Sequence, residues 1–192
     1  MSSIATLDGP VRGFFEQLEP LVTDTPDMER IARLLVELSR DRDYFAHHIA
    51  AAPENGSLPI YAPEHGPRLS LVHRPEGTMG AVHSHSVWVA LAPITGTETH
   101  RRYDVLERGD DGHAKLAMAE ERHLDGNSGV AVTLTPPNDV HSHGHLEGVG
   151  EAAYVLILAG DNQVLYERQE YDLKAGTWRT LSPGDRGHWN QQ

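Results

Sequence analysis

From about residue 58 onward the apolar residues come in short runs: LSLVH, VWVALAPI, HRRYDVLE, KLAMAEERHL, GVAVTLT, AAYVLILAG, QVLYERQEYDL and TWRTL, parted by Gly, Pro, Asn and Asp. Runs this short suit strands and are too brief for helices, so the pattern predicts about eight strands. Turn signals at Arg108-Gly109-Asp110-Asp111-Gly112 and Asp125-Gly126-Asn127 fall between them, as antiparallel hairpins require. No helix-length pattern separates the strands, which argues against a parallel βαβ sheet. Upstream the period changes. Residues 11–22 and 27–50 carry apolar residues three and four apart, with Ile31, Leu34, Leu35 and Leu38 forming one stripe. Asp24, Thr25 and Pro26 mark the start of the second stretch, with Asp27 and Glu29 expected in its first turn, where the helix dipole favours negative charge. We expect one mainly β domain over 1–192, with a helical segment at about 10–50 packed on a β-barrel at about 58–182, and a loosely ordered polar tail from Pro183 to Gln192.

Composition narrows the chemistry. The 192 residues include no cysteine, which excludes thiolate ligands, disulfides and a Cys nucleophile, so any metal must be held by nitrogen and oxygen. Acidic residues outnumber basic ones by 28 to 16 for a formal charge of −12, which disfavours nucleic acid and anionic membranes as partners. No apolar run reaches the roughly 18 residues of a membrane span, and MSSIATLDGPVRG lacks the regions of a secretory signal. We therefore expect a cytoplasmic protein acting on a small molecule. The 13 histidines matter most, because imidazole is the commonest metal ligand.

Two histidine motifs stand out. In Gly80-Ala81-Val82-His83-Ser84-His85 the imidazoles are two apart, and on a strand residues i and i+2 share a face. In Pro136-Pro137-Asn138-Asp139-Val140-His141 a proline-rich turn aims a third imidazole from far along the chain. Three neutral nitrogens from His83, His85 and His141 leave coordination positions open, a set that suits Fe(II), Mn(II), Co(II), Ni(II) or Zn(II) without choosing among them.

These motifs resemble the two conserved motifs of the cupin superfamily, which implies a double-stranded β-helix, or jelly-roll barrel. The usual cupin glutamate after the His pair is replaced by Val87, Trp88, Val89 and Ala90, and His145 stands where a polar residue such as Asn often follows the third His. A three-His set without glutamate is similar to the cysteine dioxygenase family of thiol dioxygenases, as are His-Ser-His-Ser-Val-Trp and the GTETHRRY stretch from Gly96 to Tyr103. That resemblance implies a mononuclear non-haem iron(II) oxygenase that binds substrate and O2 together. The chain departs from the family at Tyr154–Gly160, which lacks its Ser, His and Tyr, and at Tyr61-Ala62-Pro63, which lacks its Tyr-then-Arg clamp. Arg168 falls where mercaptopropionate-type members keep an arginine.

Other residues complete the expected site. Alternation puts His143 and His145 on the strand of His141, as proton carriers or supporting donors. It also sets Arg101 with Tyr103 on one face and His100 with Arg102 on the other, one pair facing inward. We take Tyr103, His143 and His145 as candidate catalytic residues. Arg101, Arg168 and Trp88 are candidate substrate contacts, an arginine meeting a carboxylate through two hydrogen bonds. His47, His48, His65, His73, His113, His123 and His188 are read as surface or packing residues. The expected substrate is a small organic anion, a thiol carboxylate by the resemblance, with O2 as co-substrate and the chain a monomer or homodimer. An O2-independent metal-dependent isomerase, lyase or hydrolase and a non-catalytic metal-binding module remain open beside it.

Overall fold

A computed structural model describes residues 4–54 and 56–185; His188 and the end of the expected polar tail lie outside them. The helical segment is three helices, α1 (Gly9–Leu18), α2 (Met28–Ser39) and α3 (Arg42–Ala51). The stretch 27–50 expected as one helix breaks at Arg40-Asp41 because Asp41 caps a new helix, its carboxylate accepting from the Tyr44 backbone N–H at 3.1 Å. Asp27 plays the same part for α2, accepting from Arg30 N–H at 3.0 Å, so it is the cap and not a first-turn residue. No helix among the described residues is long and apolar enough to cross a membrane.

Among the described residues eleven strands follow: β1 (Gly56–Tyr61), β2 (Arg68–Arg74), β3 (Val82–His83), β4 (Val89–Thr95), β5 (Thr97–Arg108), β6 (Ala114–Asp125), β7 (Val132–Leu134), β8 (His141–Gly144), β9 (Ala153–Ala159), β10 (Arg168–Asp172) and β11 (Thr177–Leu181). The eight apolar runs do not include β1, which Pro59 interrupts, or β3 and β8, which are two and four residues long and are expected as strands only through their histidine motifs. All pairs are antiparallel, in a five-stranded sheet ordered β1-β2-β9-β4-β7 and a six-stranded sheet ordered β11-β10-β3-β8-β5-β6. This is the double-stranded β-helix. Strand order interleaves early and late parts of the chain, which is why β3 and β8, far apart in sequence, become neighbours.

Alternation sorts the five-stranded sheet into two apolar faces. Leu69, Leu71, Ala90, Ala92, Ile94, Leu156 and Leu158 pack against Phe14, Phe15, Leu18, Ile31, Leu35 and Phe45 of the helices. Each fully buried Leu, Ile or Phe among them contributes about 1.5–3 kcal/mol. The intervening residues Val89, Leu91, Val155 and Ala159 face the barrel interior with Leu124, Val132 and Leu134. Chain reversal between β4 and β5 depends on Gly96, whose φ of +69° is left-handed and whose Cβ, if present, would run into the Ala152 carbonyl.

Candidate metal centre

The histidine centre is built on the six-stranded sheet. His83 ends the two-residue β3 and lies directly opposite His141, the first residue of β8. Directly opposed residues on antiparallel strands share a face, so the two imidazoles meet inside the barrel. His85 lies just past the end of β3 rather than on it. Its place is held by the second motif: the Asp139 carboxylate, itself buried, accepts from the His85 backbone N–H at 2.7 Å. Ser86, in the left-handed region at φ 61°, then turns the chain toward β4. The strand argument thus reaches the correct convergence by a partly different route, with a side chain of one motif fastening the loop of the other.

The three rings point Nε2 at one another. Nε2 of His141 is 2.8 Å from that of His85 and 3.2 Å from that of His83, and one ligand atom from each lies within 4.8 Å of the others. Around an ion about 2.1 Å from each nitrogen, neighbouring ligands would be about 3.0 Å apart in octahedral and about 3.4 Å apart in tetrahedral geometry. The observed separations suit such an ion. The other ring nitrogens are engaged elsewhere: His83 Nδ1 meets the Ala81 carbonyl at 2.9 Å, His85 Nδ1 the Gln163 side-chain oxygen at 2.5 Å, and His141 Nδ1 the His100 Nε2 at 2.8 Å. With Nδ1 donating, each Nε2 is left with its lone pair toward the centre, which fits a divalent metal.

Burial keeps these rings neutral. Desolvation pushes His83 and His141 well below the ordinary histidine range, helped by the neighbouring imidazoles. Desolvation brings His85 to about 4, against the opposing pull of Gln163 and Asp139. A neutral imidazole is the form that binds metal, so the site is ready at neutral pH without first shedding protons.

Beside the centre lies a buried charged group that the sequence reading did not single out. His143 stacks on His141, ring centroids 5.0 Å apart and 11° from parallel. Its Nδ1 is 2.7 Å from Glu98 Oε1, and its Nε2 is 3.0 Å from Arg74 Nη2. Arginine can only donate, so a neutral His143 accepts from Arg74 and donates to Glu98. Burial pushes the Glu98 carboxyl up to about 7, although Arg74 draws it down. Glu98 Oε2 and Arg74 Nε are buried with no hydrogen-bond partner.

The remaining predicted residues divide between the two faces of the sheet. Arg168 is buried, two residues along β10 from Glu170, which lies opposite His83, so it shares the histidine face. Its charge disfavours protonation of His83 and His85. One nitrogen donates to the Asp185 carbonyl at 2.5 Å and Nε is buried without a partner. His145 is fully buried with both ring nitrogens unpartnered, and it is not in the group of three.

The expectation that Arg101 and Tyr103 line the histidine cavity is corrected by register. Arg101 lies opposite Ser142, which alternates with His141 and His143, and its guanidinium pairs with Glu121 at 2.7 Å. Tyr103 packs with Val82, Val140 and Tyr171, its hydroxyl 3.4 Å from Ser142 Oγ. Both line a groove of about 370 Å³ on the outer face. Arg102 lies opposite His141 but pairs with Asp104 at 2.9 Å. Trp88 is corrected as well: it packs into the helix-side core against Gly160, where any Cβ would strike its indole ring.

Of the residues the sequence reading missed, Glu98 carried a signal, since alternation from His100 puts it on the same face. Asp139 lies inside the second histidine motif, though nothing local shows that it fastens His85; Arg74 and Gln163 carried no signal, because they meet the histidines only through the sheet order.

No family model matches the chain, and no curated protein does. Among solved structures it is similar to a DMSP lyase at 13% identity, covering 55% of this chain and 44% of that one with a TM-score of 0.38. It is also similar to a conserved protein with a double-stranded β-helix domain from Klebsiella pneumoniae, at 16% identity over 58% of this chain and 83% of that one, TM-score 0.40. A third is an RmlC-like cupin from Methanocaldococcus jannaschii, at 13% identity over 57% and 84%, TM-score 0.37. The chain spans less than half of the DMSP lyase chain.

Proposed function

We propose that this protein is a mononuclear non-haem iron(II) oxygenase acting on a small organic anion, with His83, His85 and His141 holding the metal. The observation that carries the reading is the meeting of three buried, neutral Nε2 atoms at one point with no carboxylate among them. When bound, the metal would supply a Lewis acid with open positions where substrate and O2 can bind side by side. Iron and O2 are favoured over the other divalent ions by the resemblance to thiol dioxygenases, which also suggests a thiol carboxylate.

The chain's own residues do the rest. Arg168 would take the substrate's anionic group, a role supported by its burial on the histidine face and its unpartnered Nε. Val89, Leu91, Val155 and Ala159 give the interior an apolar wall that would keep water from the chemistry. His143, between Arg74 and Glu98, is the candidate to hold or pass a proton beside His141.

That same proton path favours one second reading, a metal-dependent isomerase, lyase or hydrolase that needs no O2. Metal analysis combined with O2 uptake across small thiols and other carboxylates tests the first reading. Stoichiometric iron and uptake only with substrate are expected; full turnover without O2 would overturn the oxygenase and leave the second reading. His83→Ala should abolish metal binding, and unchanged metal content in that variant would refute the centre itself.

A further inference from the structure

His100 lies on β5 directly opposite His143, and so diagonal to His141 across the β5–β8 pair. It is buried, its ring centroid is 4.9 Å from that of His141, and its Nε2 is 2.8 Å from His141 Nδ1. Of the three groups behind the ligand histidines, Ala81 offers a backbone carbonyl, which can only accept, and Gln163 presents its amide oxygen. His100 alone is an imidazole, which can either give or take a proton.

We infer that His100 is a positioning residue that selects the metal-binding tautomer of His141, by accepting the His141 Nδ1–H at its own Nε2. The assignment rests on the metal-centre reading proposed above, and the direction of the hydrogen bond follows from valence. A neutral His141 has one N–H. If Nε2 is to offer its lone pair to a metal, that hydrogen must sit on Nδ1 and be donated to His100. The reverse bond, with His100 donating, leaves the His141 hydrogen on Nε2, pointing at His85 Nε2 only 2.8 Å away, where it blocks the ligand position. Without an acceptor behind it, buried His141 Nδ1–H would be left unsatisfied, and the blocked tautomer would gain on the binding one. The neutral acceptor also adds no negative charge, so the centre keeps a strong pull on an anionic ligand.

Three variants at this position separate the roles. His100→Leu fills similar space without an acceptor, His100→Gln can present an amide oxygen near the former Nε2, and His100→Asn is polar but too short to reach. The purified chains are titrated with Co(II) against a chromophoric chelator, with visible absorption of the Co(II)-loaded protein and the melting temperature of the metal-free form read alongside. His100→Leu and His100→Asn should bind Co(II) about 10–100-fold more weakly, with shifted absorption bands, and His100→Gln should recover most of the affinity and the wild-type bands. If Leu prevents folding, the Gln and Asn pair decides. Equal affinity in Asn and wild type, or equal loss in Gln and Asn, would overturn the role of His100 while leaving the metal centre intact. Failure of the wild-type chain to bind Co(II) would overturn both.

Discussion

The two sheets of this barrel are built on opposite principles. Both faces of the five-stranded sheet are lined mainly by apolar side chains, one against the helices and one toward the interior. The six-stranded sheet carries His83, Glu98, His100, His141 and His143 on its inner face, all buried, and only a small cluster around Val82, Tyr103 and Tyr171 on its outer face. The comparison teaches where the cost of the site is borne. Buried imidazoles and an arginine–carboxylate pair cost desolvation energy, and several of their atoms lack partners. The helix-backed sheet supplies the burial that offsets this and holds the centre rigid.

Cutting into the apolar sheet should therefore harm stability and spare the site. Leu156→Ala, at a fully buried position facing the helices, should lose about 2–5 kcal/mol in denaturant unfolding, while the folded fraction keeps its metal stoichiometry. Loss of metal at full fold content would break the division of labour.

A pH-dependent effect should come from the polar sheet. The Glu98 carboxyl is raised from 4.5 to about 7 by burial, so the folded state binds its proton more tightly than the unfolded state. Stability of the metal-free protein should be highest below about pH 4.5 as far as this group is concerned, fall as pH rises to about 7, and level off above. The full span is on the order of 3 kcal/mol. Glu98→Gln should flatten that slope in unfolding titrations between pH 5 and 8; an unchanged slope would assign the titration to another group.

Smaller effects sharpen the contrast. Removing the α2 cap with Asp27→Ala should cost about 1 kcal/mol by thermal unfolding and leave metal binding alone. Tyr103→Phe, on the outer face, should cost about 0.5–1 kcal/mol for the loss of its long hydrogen bond to Ser142 and leave metal content and turnover at wild-type values. A loss of turnover there would show that the outer groove reaches the chemistry.

Legibility followed the same line. The apolar sheet was readable because its strands, such as Val89–Thr95 and Ala153–Ala159, are continuous apolar runs that cannot be placed anywhere but in a core. In the polar sheet β5, β6, β10 and β11 are legible as short runs, but the two strands that carry the centre are legible only through their histidine motifs. β3 and β8 are two and four residues long and carry no hydrophobic period, so their strand character comes from the partner and not from local preference. Arg101 and Tyr103 were assigned to a shared face correctly, but which face was inner is a property of the sheet and not of the strand. Trp88, open in the sequence between core and substrate contact, is settled as core by the helices behind β4, which proximity to the His pair does not reveal.

What the sequence by itself determined is the β-rich body, the helical cover and the identity of the three histidines, because periodicity and ligand spacing are local properties of the chain. What only the tertiary structure decided is the company those histidines keep. His100, Gln163 and Asp139 fasten them, Arg74 and Glu98 charge the wall beside them, and Arg168 faces them from β10. Each of these residues is distant in the chain from the histidine beside it and is brought near only by the order of the strands. Short-range pattern cannot encode which distant strand arrives at hydrogen-bond distance, and the antiparallel register of the barrel sets it.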